Sequence, residues 1–106
     1  MKQLFAILAF VLTLGVTAQE NPQKKAKKLA NEFTKVLSLN EEESKAIYEI
    51  QLVRFKLAQS INEEFSDQPE IKKEKLKVLG DKTFNEIKNV LGVERQKQWK
   101  EYKSKN

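Results

Sequence analysis

The chain has 106 residues, of which 20 are Lys or Arg and 15 are Asp or Glu, and it contains neither His nor Cys. The absence of these two residue types excludes disulfides, thiol redox chemistry and Cys/His zinc sites, and it removes the usual enzymatic nucleophile and base. A chain of this length has room for one small domain, so its function must be sought in its surfaces.

The first 18 residues carry one charged side chain, Lys2, followed by an apolar run and by the small-residue stretch Val16-Thr17-Ala18. This order is typical of a secretory signal peptide, and we expect cleavage after Ala18. The alternative is a membrane anchor, but the apolar stretch has only 15 residues, against the roughly 20 that a spanning helix needs. Cleavage would leave one helical domain over residues 19–106 and lower the net charge from +5 to +4. We therefore expect an exported protein, periplasmic where the host has an outer membrane.

Helix-favouring residues dominate the remaining sequence, and only two Pro and three Gly occur in the whole chain. No alternating run of strand length is present, so the pattern predicts an all-α protein with four helices. The first helix begins with Asn21 as N-cap and Pro22 at the first helical position. Its apolar stripe consists of Ala26, Leu29, Ala30, Phe33, Val36 and Leu37. The lysines on its other side form a solvated face or a binding patch.

A second helix begins after Asn40, which acts as N-cap with Glu43 completing a capping box, and runs to about Phe65. At about 100° per residue this helix has two apolar sides. The broader side consists of Ala46, Ile47, Ile50, Val53, Leu57, Ala58, Ile61 and Phe65. The narrower stripe consists of Tyr48, Leu52 and Phe55. Another helix of the same domain covers this stripe, or it is a dimer contact or a surface for apolar segments of other proteins.

A turn over residues 66–70 precedes the third helix. Its buried stripe consists of Leu76, Leu79, Thr83, Ile87 and Val90, widened by Phe84 and Leu91. Gly80 lies inside this pattern, either at a close helix–helix approach or by simple tolerance. Gly92 ends or bends the helix, and a short fourth helix runs from about Val93 to Tyr102. We predict that Trp99 closes the end of the bundle, with ligand stacking as the alternative.

No pattern in the sequence indicates catalysis. Carboxylates cluster at residues 41–43 and 63–64, but each group adjoins a predicted helix end beside lysines, where solvation keeps it ionised. The chain has no Gly-rich phosphate loop, nucleophile elbow or calcium loop. We therefore predict that it is not an enzyme and that it uses no cofactor and no metal. We also predict no nucleic-acid binding and at most weak binding to membrane surfaces, because acidic residues are mixed among the basic ones.

The predicted helix lengths bear on assembly. Two helices of about 25 residues are roughly 35–40 Å long, so 88 residues make a thin molecule that hides little of its apolar surface. We expect long antiparallel helical hairpins, an elongated shape, and self-association into a homodimer.

Two copies of a Leu-polar-x-x-acid/amide pattern, with the predicted signal peptide and four helices, resemble the Spy/CpxP family of small periplasmic stress proteins. The hallmark of that family is a duplicated L-T-x-x-Q, in which Thr caps a helix. The first copy here is Leu39-Asn40-Glu41-Glu42-Glu43, with Asn40 for Thr and Glu43 for Gln. The second copy is Leu91-Gly92-Val93-Glu94-Arg95, in which Gly92 and Arg95 depart from the pattern.

The resemblance implies an elongated, curved all-α homodimer. Its concave side, partly apolar and lined with basic residues, would bind unfolded or aggregation-prone proteins without ATP. Some members instead regulate an envelope stress sensor, and others bind zinc through histidines, which this chain lacks.

The residues and the resemblance lead to one predicted mechanism, in which apolar side chains flanked by Lys and Arg catch transiently exposed segments. We predict that Tyr48, Leu52 and Phe55, with Arg54 and Lys56 nearby, form a client-binding or dimer surface. Arg54 projects toward the broader side of the second helix, so the alternative is that Arg54 belongs to an interface instead of the client-binding surface. The competing hypotheses are an envelope stress regulator or adaptor that docks one dedicated partner, and a helical protein of the membrane surface.

Overall fold

The computed structural model describes residues 21–105, and these residues form three α-helices and no strand. They are α1 (Pro22–Leu37), α2 (Glu41–Glu64) and α3 (Pro69–Lys105). The predicted all-α class is confirmed. The predicted signal peptide over residues 1–18 lies outside the described residues. Among residues 21–105, no helix combines the length and the hydropathy that crossing a bilayer requires.

Both predicted N-caps are confirmed. The side-chain oxygen of Asn21 accepts a hydrogen bond from the backbone N–H of Lys24 at 2.8 Å, and Pro22 occupies the first turn of α1. The side-chain oxygen of Asn40 accepts from the N–H of Glu43 at 2.8 Å, while the Glu43 carboxylate accepts from the N–H of Asn40 at 3.2 Å. This reciprocal pair is the predicted capping box, and it fixes where α2 begins.

The connection from α1 to α2 is short because Ser38 adopts a left-handed conformation with φ +54°. The N–H of Ser38 donates to the carbonyl of Thr34, and the N–H of Leu39 donates to the same carbonyl at 3.2 Å. The hydroxyls of Thr34 and Ser44 form a hydrogen bond across the turn. As a result, α1 and α2 form an antiparallel helical hairpin.

The third helix is interrupted at Gly92, where φ is 87° and ψ is 163°. Beyond the break the chain turns back sharply, since the side-chain amide of Gln96 donates to the carbonyl of Phe84 at 2.8 Å. Twelve residues of straight helix would separate these two backbone positions by about 18 Å. The described residues thus form three helices rather than the predicted four, because the predicted third and fourth helices follow each other without a loop and meet at the non-helical Gly92 as one bent element.

Gly80 lies in the regular part of α3, before the break. A Cβ placed on Gly80 has no heavy atom within 4 Å. The close-approach explanation for this glycine is therefore wrong, and the helix simply tolerates it.

The core lies where the three helices meet. Its buried cluster consists of Ala30, Phe33, Leu37, Leu39, Ile47, Ile87 and Leu91. Trp99, beyond the break in α3, packs against this cluster and stacks on Phe33, with ring centroids 3.7 Å apart and an interplanar angle of 16°. Trp99 therefore packs against the core, which is the role that the sequence predicts in preference to ligand stacking.

The molecule is elongated, with principal extents of 53 × 28 × 26 Å. With 16 residues, α1 is about 24 Å long and covers only the first part of the 24-residue α2. Near the start of α1, the ammonium of Lys25 lies 4.9 Å from the centre of the Phe55 ring. Beyond this point, Leu57, Ile61 and Phe65 of α2 line one groove with Ile71, Val78 and Leu79 of α3. We call this two-helix portion, residues 57–82, the arm, and the rest of the described chain the bundle.

Candidate functional site

The narrower stripe of α2, which contains Tyr48, Leu52 and Phe55, is half-buried along its whole length. Tyr48 packs against the core cluster. Phe55 lines a shallow groove together with Leu29 of α1 and lies under the ammonium of Lys25. Helix α1 therefore covers much of this stripe, which leaves less of it open to a partner than a bare helix face would offer.

The two basic residues predicted beside this stripe take different positions. Arg54 donates from one terminal nitrogen to the side-chain oxygen of Gln51 at 3.2 Å, and its guanidinium carbon lies 5.1 Å from the centre of the Phe55 ring. Lys56 is exposed to solvent. The structure therefore places the Arg54 guanidinium beside the Phe55 ring and leaves Lys56 exposed to solvent.

The two copies of the motif meet in space. They comprise Leu39, Asn40 and Glu43 in the first copy, and Leu91, Gly92 and Arg95 in the second. Both leucines belong to the buried core cluster. Arg95 donates from its two terminal nitrogens to the two carboxylate oxygens of Glu43, at 3.1 and 2.8 Å. Its Nε donates to the carbonyl of Leu91 at 3.0 Å, beside the break.

This fork shifts the titration of both partners. The hydrogen bond from Arg95, followed by that from the backbone of Asn40, lowers the pKa of Glu43 below its ordinary value. The same hydrogen bond to Glu43 raises the pKa of Arg95. Both side chains are therefore charged at neutral pH, and the pair links the part of α3 just beyond the break to the start of α2. The two departures from the motif thus have structural roles, because Gly92 makes the bend and Arg95 fastens it.

A cleft of about 360 Å³ lies between α1, α2 and the two parts of α3. Its apolar lining consists of Leu29, Phe33, Phe84, Ile87 and Trp99. Its cationic lining consists of Arg54, Lys100 and Lys103. No carboxylate is among the residues that line it within the described part of the chain. We call this feature the basic cleft.

The cations of the basic cleft lie close to its aromatic rings. The ammonium of Lys100 is 5.7 Å from the centre of the Phe84 ring, and that of Lys103 is 5.5 Å from the Trp99 ring. Lys103 also lies 3.8 Å from the carboxylate of Glu32. Within residues 21–105, neither Arg54 nor Lys100 has a carboxylate at ion-pair distance. Two of the three cations are therefore available to an anion from outside.

The sequence analysis missed two buried glutamines in the walls of this cleft. Gln51 and Gln96 are almost inaccessible to solvent, and both are hydrogen-bonded, to Arg54 and to the carbonyl of Phe84 respectively. The burial of Gln51 could have been predicted from the sequence, because Gln51 follows Ile47 by four residues and so lies on the same side of α2. The burial of Gln96 could not, because it depends on the bend at Gly92.

The arm carries a second candidate surface. An open groove of about 700 Å³ runs between α2 and α3, and the exposed fractions of Leu57, Ile71 and Val78 there are 43%, 41% and 63%. Its other apolar lining residues are Ile61, Phe65 and Leu79. Its charged lining residues are Glu64, Glu74, Lys75 and Lys82. We call this surface the arm groove. The broader side of α2 therefore divides, with Ile47 buried in the bundle and Leu57 open on the arm.

No protein-family model, curated protein or solved structure matches this chain. The resemblance to the Spy/CpxP family therefore stays a prediction from the quoted residues. Among residues 21–105, no group of three or more acidic side chains is arranged to hold a metal ion.

Proposed function

We propose that this protein is an exported, ATP-independent chaperone-like protein that binds unfolded or aggregation-prone segments in its arm groove. The observation that carries the proposal is the aliphatic surface that Leu57, Ile71 and Val78 expose within one groove. A contiguous apolar surface with a charged rim is typical of surfaces that bind other proteins. The export part of the proposal rests on the predicted signal peptide.

The rim of the arm groove suits clients of varied sequence. The rim carries two lysines and two glutamates, which are Lys75, Lys82, Glu64 and Glu74. Because both signs of charge are present, the rim repels neither acidic nor basic segments as a whole. The net charge of +4 that signal-peptide cleavage would leave raises the rate of encounter with acidic chains. An open groove makes weak contacts, and a client can therefore fold while bound or leave without nucleotide hydrolysis.

The predicted homodimer is part of this proposal. Two copies that pair their arms would bury the same aliphatic side chains that a client would cover. A client and a second copy then compete for one surface, so an excess of client should shift the protein from dimer toward monomer–client complexes. Sedimentation of the protein with and without a permanently unfolded client measures this shift.

The test of client binding compares three single substitutions in residues 19–106. Leu57→Asp and Val78→Asp place a charge in the arm groove, whereas Val93→Asp makes a matched change at a residue that is 68% exposed and lies outside it. We expect the first two variants to lose most of the protection of a denatured reporter against aggregation and the third to retain it. Circular dichroism should show the same helix content in all three. Equal protection by the three variants would overturn the assignment of the groove.

The same assay separates a chaperone from an adaptor. A chaperone should protect several unrelated denatured proteins at similar stoichiometry. An adaptor should protect none of them and should retain a single protein from an envelope extract, and this result would contradict the proposal.

A further inference from the structure

We propose that the basic cleft binds a single-chain anionic amphiphile, with one carboxylate head group and an unbranched aliphatic tail, such as a medium-chain fatty acid. This inference does not rest on the proposed function, because it concerns the bundle rather than the arm and a small molecule rather than a protein.

The lining of the basic cleft favours an aliphatic tail. Its volume of about 360 Å³ lies at the lower end of the range for small-molecule sites, about 300–1,000 Å³. Its floor is formed by Leu29, Ile87 and the stacked rings of Phe33 and Trp99. Because these rings lie 3.7 Å apart, they leave no space for a third ring between them. A flexible chain can follow this floor, whereas a flat aromatic ligand cannot insert between these two rings.

The charges around the basic cleft favour a carboxylate head. Arg54 on α2 and Lys100 on the last part of α3 both line this cavity. The described residues provide no carboxylate at ion-pair distance from either of them. Both cations attract an anion that enters the cavity, and the planar fork of an arginine matches the two oxygens of a carboxylate. Lys103 contributes less, since Glu32 lies 3.8 Å from it.

The walls of the cleft are held in place before any ligand binds. The side-chain oxygen of Gln51 accepts from Arg54 and so positions the guanidinium at the cleft edge. The hydrogen bond from Gln96 to the carbonyl of Phe84 fixes the turn in α3, beyond which Lys100 joins the lining of the cleft. Since both walls are held by hydrogen bonds of buried glutamine side chains, binding has to order few additional groups.

Binding can be followed directly, because Trp99 lines the cleft and is the one tryptophan of the chain. The probe is sodium dodecanoate, kept below its micelle concentration, and the readouts are Trp99 emission and isothermal titration calorimetry on residues 19–106. We expect saturable binding of one dodecanoate per chain and a higher midpoint of thermal unfolding, because a ligand that binds the folded state stabilises it. Dodecyltrimethylammonium, with the same tail and a cationic head, should not bind. A lowered midpoint, absence of saturation, or equal binding of the cationic compound would overturn the proposal.

A pair of double variants tests the residues. Arg54→Gln with Lys100→Gln removes both head-group cations, whereas Lys97→Gln with Lys105→Gln removes two exposed charges of α3 that lie outside the cleft. We expect the affinity for dodecanoate to fall roughly tenfold or more in the first variant and to stay unchanged in the second. Equal affinity of the two variants would refute the site. Val78→Asp should bind dodecanoate normally, so failure of the client proposal is distinguishable from failure of this one.

Discussion

Replacing Gly92 with alanine should destabilise the bundle, although the added methyl group would meet no atom within 4 Å. The cause is the backbone, because φ 87° with ψ 163° is a conformation that residues with a Cβ rarely adopt, at a cost of roughly 1–3 kcal/mol. Gly80→Ala is the matched control, since Gly80 lies in regular helix with open space around it. That change should stabilise the protein by about 0.5–1 kcal/mol. The two variants should therefore differ by about 1.5–4 kcal/mol in the free energy of unfolding.

The strain at position 92 should persist in the alanine variant, because relaxing it would cost at least as much. A straightened α3 would leave the buried amide of Gln96 without its partner, a loss of about 1–3 kcal/mol. It would also separate Trp99 from Phe33, and such an aromatic pair contributes about 0.5–1.5 kcal/mol. We therefore expect the variant to remain bent and to unfold earlier.

The assay is urea unfolding of both variants, followed by far-ultraviolet circular dichroism and by Trp99 emission. The slope of free energy against urea should match that of the unchanged chain, since the surface exposed on unfolding is the same. Gly92→Asn adds a second test, because asparagine tolerates the left-handed helical region but ψ 163° lies far from it. Equal stability of the two alanine variants, or a clear rescue by asparagine, would refute the reasoning.

Three further outcomes follow from polar contacts. The hydrogen bond from Arg95 lowers the pKa of Glu43 in the folded chain, so the Glu43–Arg95 pair stabilises the fold fully above the ordinary value of 4.5 and loses this effect as the pH falls through the lowered pKa. Glu43→Gln should therefore reduce the fall of the urea midpoint at acidic pH. An unchanged fall would contradict this. Asn40→Ala should cost about 1 kcal/mol in urea unfolding and Asn40→Gly only a few tenths, because glycine is the better N-cap; the reverse order would count against the cap. The hydroxyl of Tyr102 donates a hydrogen bond to the Glu32 carboxylate, which raises the pKa of Tyr102 above 10.0. This hydrogen bond therefore stabilises the fold below pH 10.0, and the effect is lost as the pH rises through the raised pKa. Absorbance titration of a variant with phenylalanine in place of the other tyrosine should show the raised pKa, and Glu32→Gln should return the pKa toward 10.0.

The helix starts could be predicted because their causes are local. The caps at Asn21 and Asn40 are decided within four residues of sequence, and each makes the expected hydrogen bond. The glycine at position 92 was likewise recognisable as a bend or an end. The consequence of that bend could not be predicted, because the return of the chain toward Phe84 depends on the hydrogen-bond partner of Gln96 after the turn.

The candidate surfaces were harder to predict because they depend on distant parts of the chain. Glu43 and Arg95 are separated by 52 residues, and no local pattern pairs them. Periodicity correctly indicated two apolar sides on α2. It could not indicate that α1 begins opposite Phe55, and the position of that first turn decides which residues of α2 stay open. For the same reason, Leu57 could not be distinguished from Ile47 before the structure was known.

The division into bundle and arm has a consequence for how this chain can change over evolutionary time. Side chains on the open face of the arm, such as Val78, contribute little to the packing of the bundle, so substitutions there alter recognition at small cost to folding. Residues such as Phe33 and Ile47 are enclosed and tolerate few replacements. We therefore expect descendants of this chain to diversify first along the arm, where new specificities can arise while the anchoring half stays the same.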